Sequence, residues 1–172
     1  MMNSVVINPG VWEELNRHLF QNGVEQTAML YADVTRSGDD VQFNVADVEY
    51  LQPSDYDFQS AYHISLKDEA RGRIIKRAWT SKQAIVEMHS HVGEFAVAAF
   101  SSSDIDGLAE YVPHVMWRLR GTPYAAIVAT ESAFDGMVWT SRDLPSEQMH
   151  VVRVGEEAFE PTRATLYRRG AL

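Results

Sequence analysis

The chain has 172 residues, a formal net charge of −9 and no cysteine. That length accommodates one domain, residues 1–172, with a substantial core, and the absence of cysteine excludes disulfides, thiolate metal ligands and a cysteine nucleophile. Acidic residues spread along the chain argue against binding nucleic-acid backbones as the main task. With no run of about 20 apolar residues to span a bilayer and no charged-then-apolar leader, the expectation is a soluble, cytoplasmic protein without a membrane partner.

In chain order, Asn8-Pro9 reads as an N-cap followed by Pro at the first helical position. Val11, Trp12, Leu15 and Leu19 then recur at helical spacing until Gly23. Residues 27–35 and 41–51 are apolar-rich segments around Ser37-Gly38-Asp39-Asp40, which predicts a hairpin. Residues 53–59 are polar and read as a loop. Ser65 with Asp68 forms a capping-box pattern, and Leu66, Ala70, Ile74 and Ala78 trace one face of a second helix. An apolar run from Gln83 to His91 predicts a strand. A third helix starts near Asp104, with Ile105, Leu108 and Val112 on one face and Pro113 expected to break or kink it. Residues 124–130 and 137–141 predict a final hairpin, 149–154 one more strand, and 163–169 a charged end. The order β, α, β, β, α, β, α, β, β lacks regular βαβ alternation, which points to an α+β sheet flanked by helices rather than a doubly wound fold.

The chemistry-bearing pattern is His89-x-His91, followed by Ser101-x-x-Asp104. In an extended strand residues i and i+2 share a side, so both imidazoles are expected to face one pocket. Two imidazoles and a carboxylate are three ligands of the kind a catalytic zinc uses, with a fourth position left open. A separate carboxylate, Glu25, stands at the entrance of the apolar run that begins at Thr27.

Together Glu25, His89-x-His91 and Ser101-x-x-Asp104 resemble the JAMM metalloproteases, also called the MPN+ or JAB family. The resemblance extends from about residue 5 to about residue 140 in the order of elements. It looks nearest to the prokaryotic JAB branch associated with ubiquitin-like conjugation systems. This chain has Val92 where the family usually has Pro after the second His, and Ala28 where Gly is common. Nine residues, 92–100, lie between His91 and Ser101, two more than the family's usual spacing, and none of these departures removes a ligand.

The resemblance implies a curved mixed β-sheet flanked by helices, the JAB/MPN fold with its cytidine-deaminase-like architecture. It implies one Zn2+ held by His89, His91 and Asp104, Glu25 as general base and proton shuttle, and Ser101 as hydrogen-bond donor to an oxyanion. The implied activity is that of a zinc isopeptidase or peptidase. Such an enzyme removes a ubiquitin-like protein from its targets or trims its C-terminal precursor, with E1/E2-like enzymes of the same pathway as further partners. By spacing alone Glu87 rivals Glu25 as base or supports the metal ligands from behind, and Ser103 with Asp106 fits the same serine-to-aspartate pattern. The remaining histidines, His18, His63, His114 and His150, read as surface or structural residues. A non-catalytic MPN scaffold and a metal-dependent phosphoesterase are the alternative functions.

Overall fold

The computed structural model describes residues 2–168. Strand β1, Asn3–Ile7, to which the sequence reading gave no bounds, precedes helix α1, Pro9–Leu19. Asn8 caps α1 by accepting the Gly10 N–H at 2.9 Å, with Pro9 at the first helical position. The helix stops at Leu19, short of the expected Gly23. Gln21, Asn22 and Gly23 are exposed and have nothing apolar to bury, and Gly23 turns the chain at φ 63°.

The predicted hairpin is β2, Thr27–Ser37, with β3, Asp40–Tyr50. Residues 53–59 are not a plain loop. A single 3-10 turn, Pro53–Asp55, leads into β4, Tyr56–Gln59, which pairs with β5, Ile64–Leu66, as a separate two-stranded ribbon. Pairing across a turn ordered this segment, and no hydrophobic periodicity announces it. Ser65 consequently lies in β5 opposite Phe58, not in a cap; the N-cap of α2, Asp68–Ser81, is Lys67 without a side-chain bond. Asp68 and Glu69 in the first turn still suit the positive end of the helix dipole.

The His-bearing strand is β6, Ala84–Ser90, and the third helix is α3, Ser102–Arg118. Pro113 does not end α3. Its missing N–H would have met the Ala109 carbonyl, and both residues are exposed, so water can serve that carbonyl. The final hairpin is β7, Tyr124–Ala129, with β8, Phe134–Trp139. After it come β9, Glu147–Gln148, β10, Val151–Val154, β11, Glu157–Phe159, and α4, Ala164–Arg168. Arg169, the last residue of the predicted charged end, lies outside the described residues.

Nine strands form one sheet in the order β11-β10-β1-β3-β2-β6-β7-β8-β9. β1 runs parallel to β10 and β3, and β6 parallel to β7, while the other pairs are antiparallel. The architecture is α+β: a curled mixed sheet flanked by helices. Alternation along β2 separates two cores. Ala28, Leu30 and Ala32 join the face covered by Leu15 and Leu19 of α1. Met29 and Tyr31 join the face covered by Ile74 and Ala78 of α2 and Leu108, Val112 and Val115 of α3. No helix among the described residues is long and apolar enough to cross a membrane.

The C-terminal segment returns to the loop between β6 and α3. Thr162 Oγ1 donates to the Ala98 carbonyl at 2.6 Å, and Phe100 N–H donates to Thr165 Oγ1 at 3.0 Å. Thr165 is held in turn because its N–H donates at 2.9 Å to Asp135 Oδ2, on a carboxylate that is fully buried in β8.

Candidate metal centre

Antiparallel pairing of β2 with β6 assembles one half of the site. The register sets Thr27 opposite His89, and continued by two residues beyond that pair it carries Glu25 opposite His91. Ser90 locks this end of the ladder: its N–H donates to the Gln26 carbonyl at 3.0 Å, and its hydroxyl accepts the Gln26 N–H at 2.9 Å. Glu25 is also gripped from the β4–β5 ribbon. Its N–H donates to the Ser60 carbonyl at 2.8 Å, and Gln59 Nε2 donates to its carbonyl at 2.9 Å. His89 lies inside β6, whereas His91 lies one residue beyond it and extends the ladder by donating its N–H to Ala129 O at 2.8 Å.

The N-terminus of α3 supplies the other half. Ser101 is the N-cap, its hydroxyl accepting the Asp104 N–H at 3.1 Å while Asp104 Oδ2 accepts the Ser101 N–H at 2.7 Å. The same Oδ2 lies 3.3 Å from His91 Nε2 and 3.7 Å from His89 Nε2. One ligand atom from each of His89, His91 and Asp104 lies within 4.8 Å of the others, so the three form a group that can hold a metal ion. Glu25 Oε1 stands 3.8 Å from His91 Nε2. Glu25, His91 and Ser101 also line one cavity of about 300 Å³.

An orphaned atom tests the fit. His89 is 3% exposed, and its Nε2 is buried without a hydrogen-bond partner. Such atoms are rare in native folds because burial without a partner costs roughly 1–3 kcal/mol, and a metal ion would satisfy this one. His91 is oriented from behind: its Nδ1 lies 3.1 Å from Val97 O. A carbonyl can only accept, so Nδ1 carries the proton in that bond and Nε2 presents its lone pair to the site.

The charged groups of the site act on one another. Burial pushes the Asp104 carboxyl up, but the two imidazoles and the Ser101 bond outweigh it and hold Asp104 well below the usual carboxylate range. Burial opposes the charged form of His91, yet Asp104, the Val97 carbonyl and Glu25 together raise its pKa. Glu25 moves opposite to Asp104: burial raises its pKa against the pull of His91 and His89.

The rival residues fall elsewhere. Glu87 shares the His89 side of β6, but its carboxylate accepts the Tyr124 hydroxyl at 2.6 Å. Ser103 and Asp106 are exposed and line a cavity of about 360 Å³ beside His89, outside the His89–His91–Asp104 group. His18 bonds Thr27 O at 3.0 Å, and His150 Nδ1 accepts the Asn3 N–H at 3.1 Å, which are structural uses. His63 is exposed, in keeping with its surface reading, and it also belongs to the surroundings of the site. It lines the larger cavity, stands 3.5 Å from Ser103 Oγ, and its charge acts on Glu25. Only the β4–β5 pairing brings it there. The Val97 carbonyl likewise had no sequence signal, because any residue supplies one.

The fold and the site therefore define an α+β domain with a candidate metal centre at the end of its central strands. No family model matches the sequence, and no curated protein does. Among solved structures, the chain is similar to the solution structure of protein DSY2949 from Desulfitobacterium hafniense. Identity is 18%, the TM-score is 0.54, and the match covers 91% of this chain and 94% of that one. At this identity the likeness concerns the fold.

Proposed function

We propose that the chain is a zinc-dependent isopeptidase or peptidase of the JAMM type, acting on a ubiquitin-like protein joined to a target or carrying a C-terminal extension. The observation that carries the reading is the convergence of the Glu25 carboxylate and the Ser101 hydroxyl on the His89–His91–Asp104 group. Two nitrogen donors and one carboxylate oxygen suit zinc and leave room in a tetrahedral shell. Zinc held there supplies a Lewis acid that polarises a carbonyl and brings water deprotonation to about pH 7.

The chain's own groups do the rest. Glu25 takes up the proton released when water attacks and delivers it to the departing amine; its raised pKa suits a carboxylate that must hold a proton in transit. Ser101 already accepts the Asp104 N–H, so its hydroxyl proton is free to donate to the oxyanion that develops on the carbonyl. His91 keeps its lone pair on Nε2 through the bond to Val97 O.

A large substrate is supported by the rim. Phe58 and Tyr62 on the β4–β5 ribbon are 53% and 90% exposed, and Phe95 and Val97 on the loop after His91 are 89% and 45% exposed. Tyr62, Phe95 and Val97 line the cavity that contains Glu25 and His91. Exposed apolar side chains grouped around a site mark contact with another macromolecule. E1/E2-like enzymes of the same pathway are the further partners of this reading.

The test is elemental analysis of protein purified without chelator, together with cleavage of ubiquitin-like fusions by the same sample. The expected result is about one zinc per chain, lost with cleavage in the His89→Ala, His91→Ala double variant. A chain that stays metal-free after zinc is added refutes the metal centre. A zinc-loaded chain that cleaves no ubiquitin-like fusion keeps the metal centre and removes the substrate class.

A further inference from the structure

α3 begins at the metal centre and ends about 20 Å away, taking 1.5 Å per residue from Asp104 to Arg118. At that far end a groove of about 400 Å³ runs between α2 and α3, lined by Gly72, Ile75, Lys76, Trp79, His114 and Arg118. Gly72 leaves its wall open, since a Cβ there would meet nothing within 4 Å. Trp79 is 47% exposed, and Trp117, on the same helix turn as Arg118, is 58% exposed. Surface tryptophans are uncommon because each leaves a large apolar area in water.

The charge of this surface runs against that of the chain. No acidic side chain lines the groove, although the chain as a whole carries −9. On α2, Arg73 and Arg77 are neutralised by Glu49, Asp55 and Asp47. Among the described residues Lys76, Arg118 and Arg120 have no acidic partner. The Arg120 guanidinium lies 4.7 Å from the Trp79 ring centre, and that of Arg118 lies 5.0 Å from the Trp117 ring centre. Arg120 reaches its position from a left-handed backbone, φ 54°, which is unfavourable for a residue with a Cβ.

We infer that this groove is a docking site for an acidic protein segment carrying an aliphatic side chain, separate from the metal centre. Carboxylates of the segment meet Lys76, Arg118 and Arg120, and its aliphatic group fills the trough between Ile75 and Trp79. Tryptophan and arginine are the residue types that most often dominate the energy of protein interfaces. A nucleic acid fits less well. One face of each tryptophan ring is already covered by the chain's own guanidinium, which removes stacking surface, and the acidic remainder of the protein repels a long phosphate backbone. The inference does not depend on the peptidase reading.

The test uses fluorescence polarisation with a labelled amphipathic peptide of Glu and Leu, a counterpart with Lys in place of Glu, and a labelled oligothymidylate. The full chain is expected to bind the acidic peptide, more weakly as salt is added, and to ignore the basic one. Lys76→Glu with Arg118→Glu should weaken binding about tenfold or more, and Trp79→Ala should weaken it without changing its salt dependence. All three positions are exposed, and circular dichroism checks that each variant folds. No binding of the acidic peptide, equal binding by the charge-reversed variant, or tighter binding of oligothymidylate overturns the inference.

Discussion

Asp104 and Ser101 bond each other twice, 2.7 Å from the Ser101 N–H to Asp104 Oδ2 and 3.1 Å from the Asp104 N–H to Ser101 Oγ. The oxygen that closes the helix is thus the oxygen that faces both histidines. Ser101→Ala removes the cap and the free hydroxyl together. It should cost about 0.5–2 kcal/mol of stability and lower turnover on the order of a hundredfold. Metal content should stay unchanged. Urea unfolding and kcat on the same preparation check this, and a kcat equal to that of the parent removes Ser101 from the chemistry.

Glu25→Gln keeps the side-chain shape and both backbone bonds that fix residue 25. The expected variant folds and retains metal but has lost cleavage, because an amide cannot carry the proton. Elemental analysis separates this outcome from a structural failure, in which metal and activity fall together.

His18 provides a pH prediction away from the metal centre. Burial lowers its pKa below the ordinary 6.5, against the opposing bond to Thr27 O. The folded chain therefore prefers the neutral ring, while the unfolded chain takes up a proton near 6.5. Stability that rests on the neutral ring is complete above about 6.5 and is lost as pH falls below it toward the lower folded-state pKa. His18→Gln should flatten that part of the pH–stability curve, below about pH 6.5. Identical acid slopes for the two chains would show that His18 does not contribute.

Gly136 in β8 has no room for a side chain: a Cβ would stand 2.9 Å from Met149 Sδ and 3.0 Å from Met149 Cβ. Met149 is itself fully buried in the core beneath α1. Gly136→Ala should cost about 1–3 kcal/mol through overpacking, read as a lower Tm. Gly136→Ala with Met149→Ala should recover part of the strain and lose packing, so the two changes should not add.

Legibility followed the range of the interactions involved. α1, the β2–β3 hairpin, β6 and α3 are each written in local periodicity, caps and turn residues, and the sequence predicts them. Residues 56–59 form a strand only because residues 64–66 pair with them, and Ser65 leaves its apparent capping box for that pairing. Pro113 is tolerated inside α3 because its turn faces water. In the site, the i, i+2 spacing of the histidines was a local signal, whereas α3 starts at Ser102 with Ser101 as its cap, ahead of the expected start near Asp104. The placement of Glu25 opposite His91 depends on strand register, and His63 and the Val97 carbonyl arrive by tertiary folding alone.

The hydrogen bonds from Thr162 and Thr165 to the 98–100 segment have a consequence for biosynthesis. Thr165 follows Phe100 by 65 residues, which at roughly 5–20 residues per second is several seconds of translation. Until those residues emerge from the ribosome, the stretch leading into α3 lacks its support, and Phe100, which packs edge-on to His89 at 5.9 Å, has no anchor for its amide. The nascent chain therefore carries both histidines long before it can hold them in their final geometry. Order of synthesis alone delays the finished site until Thr165 has been made.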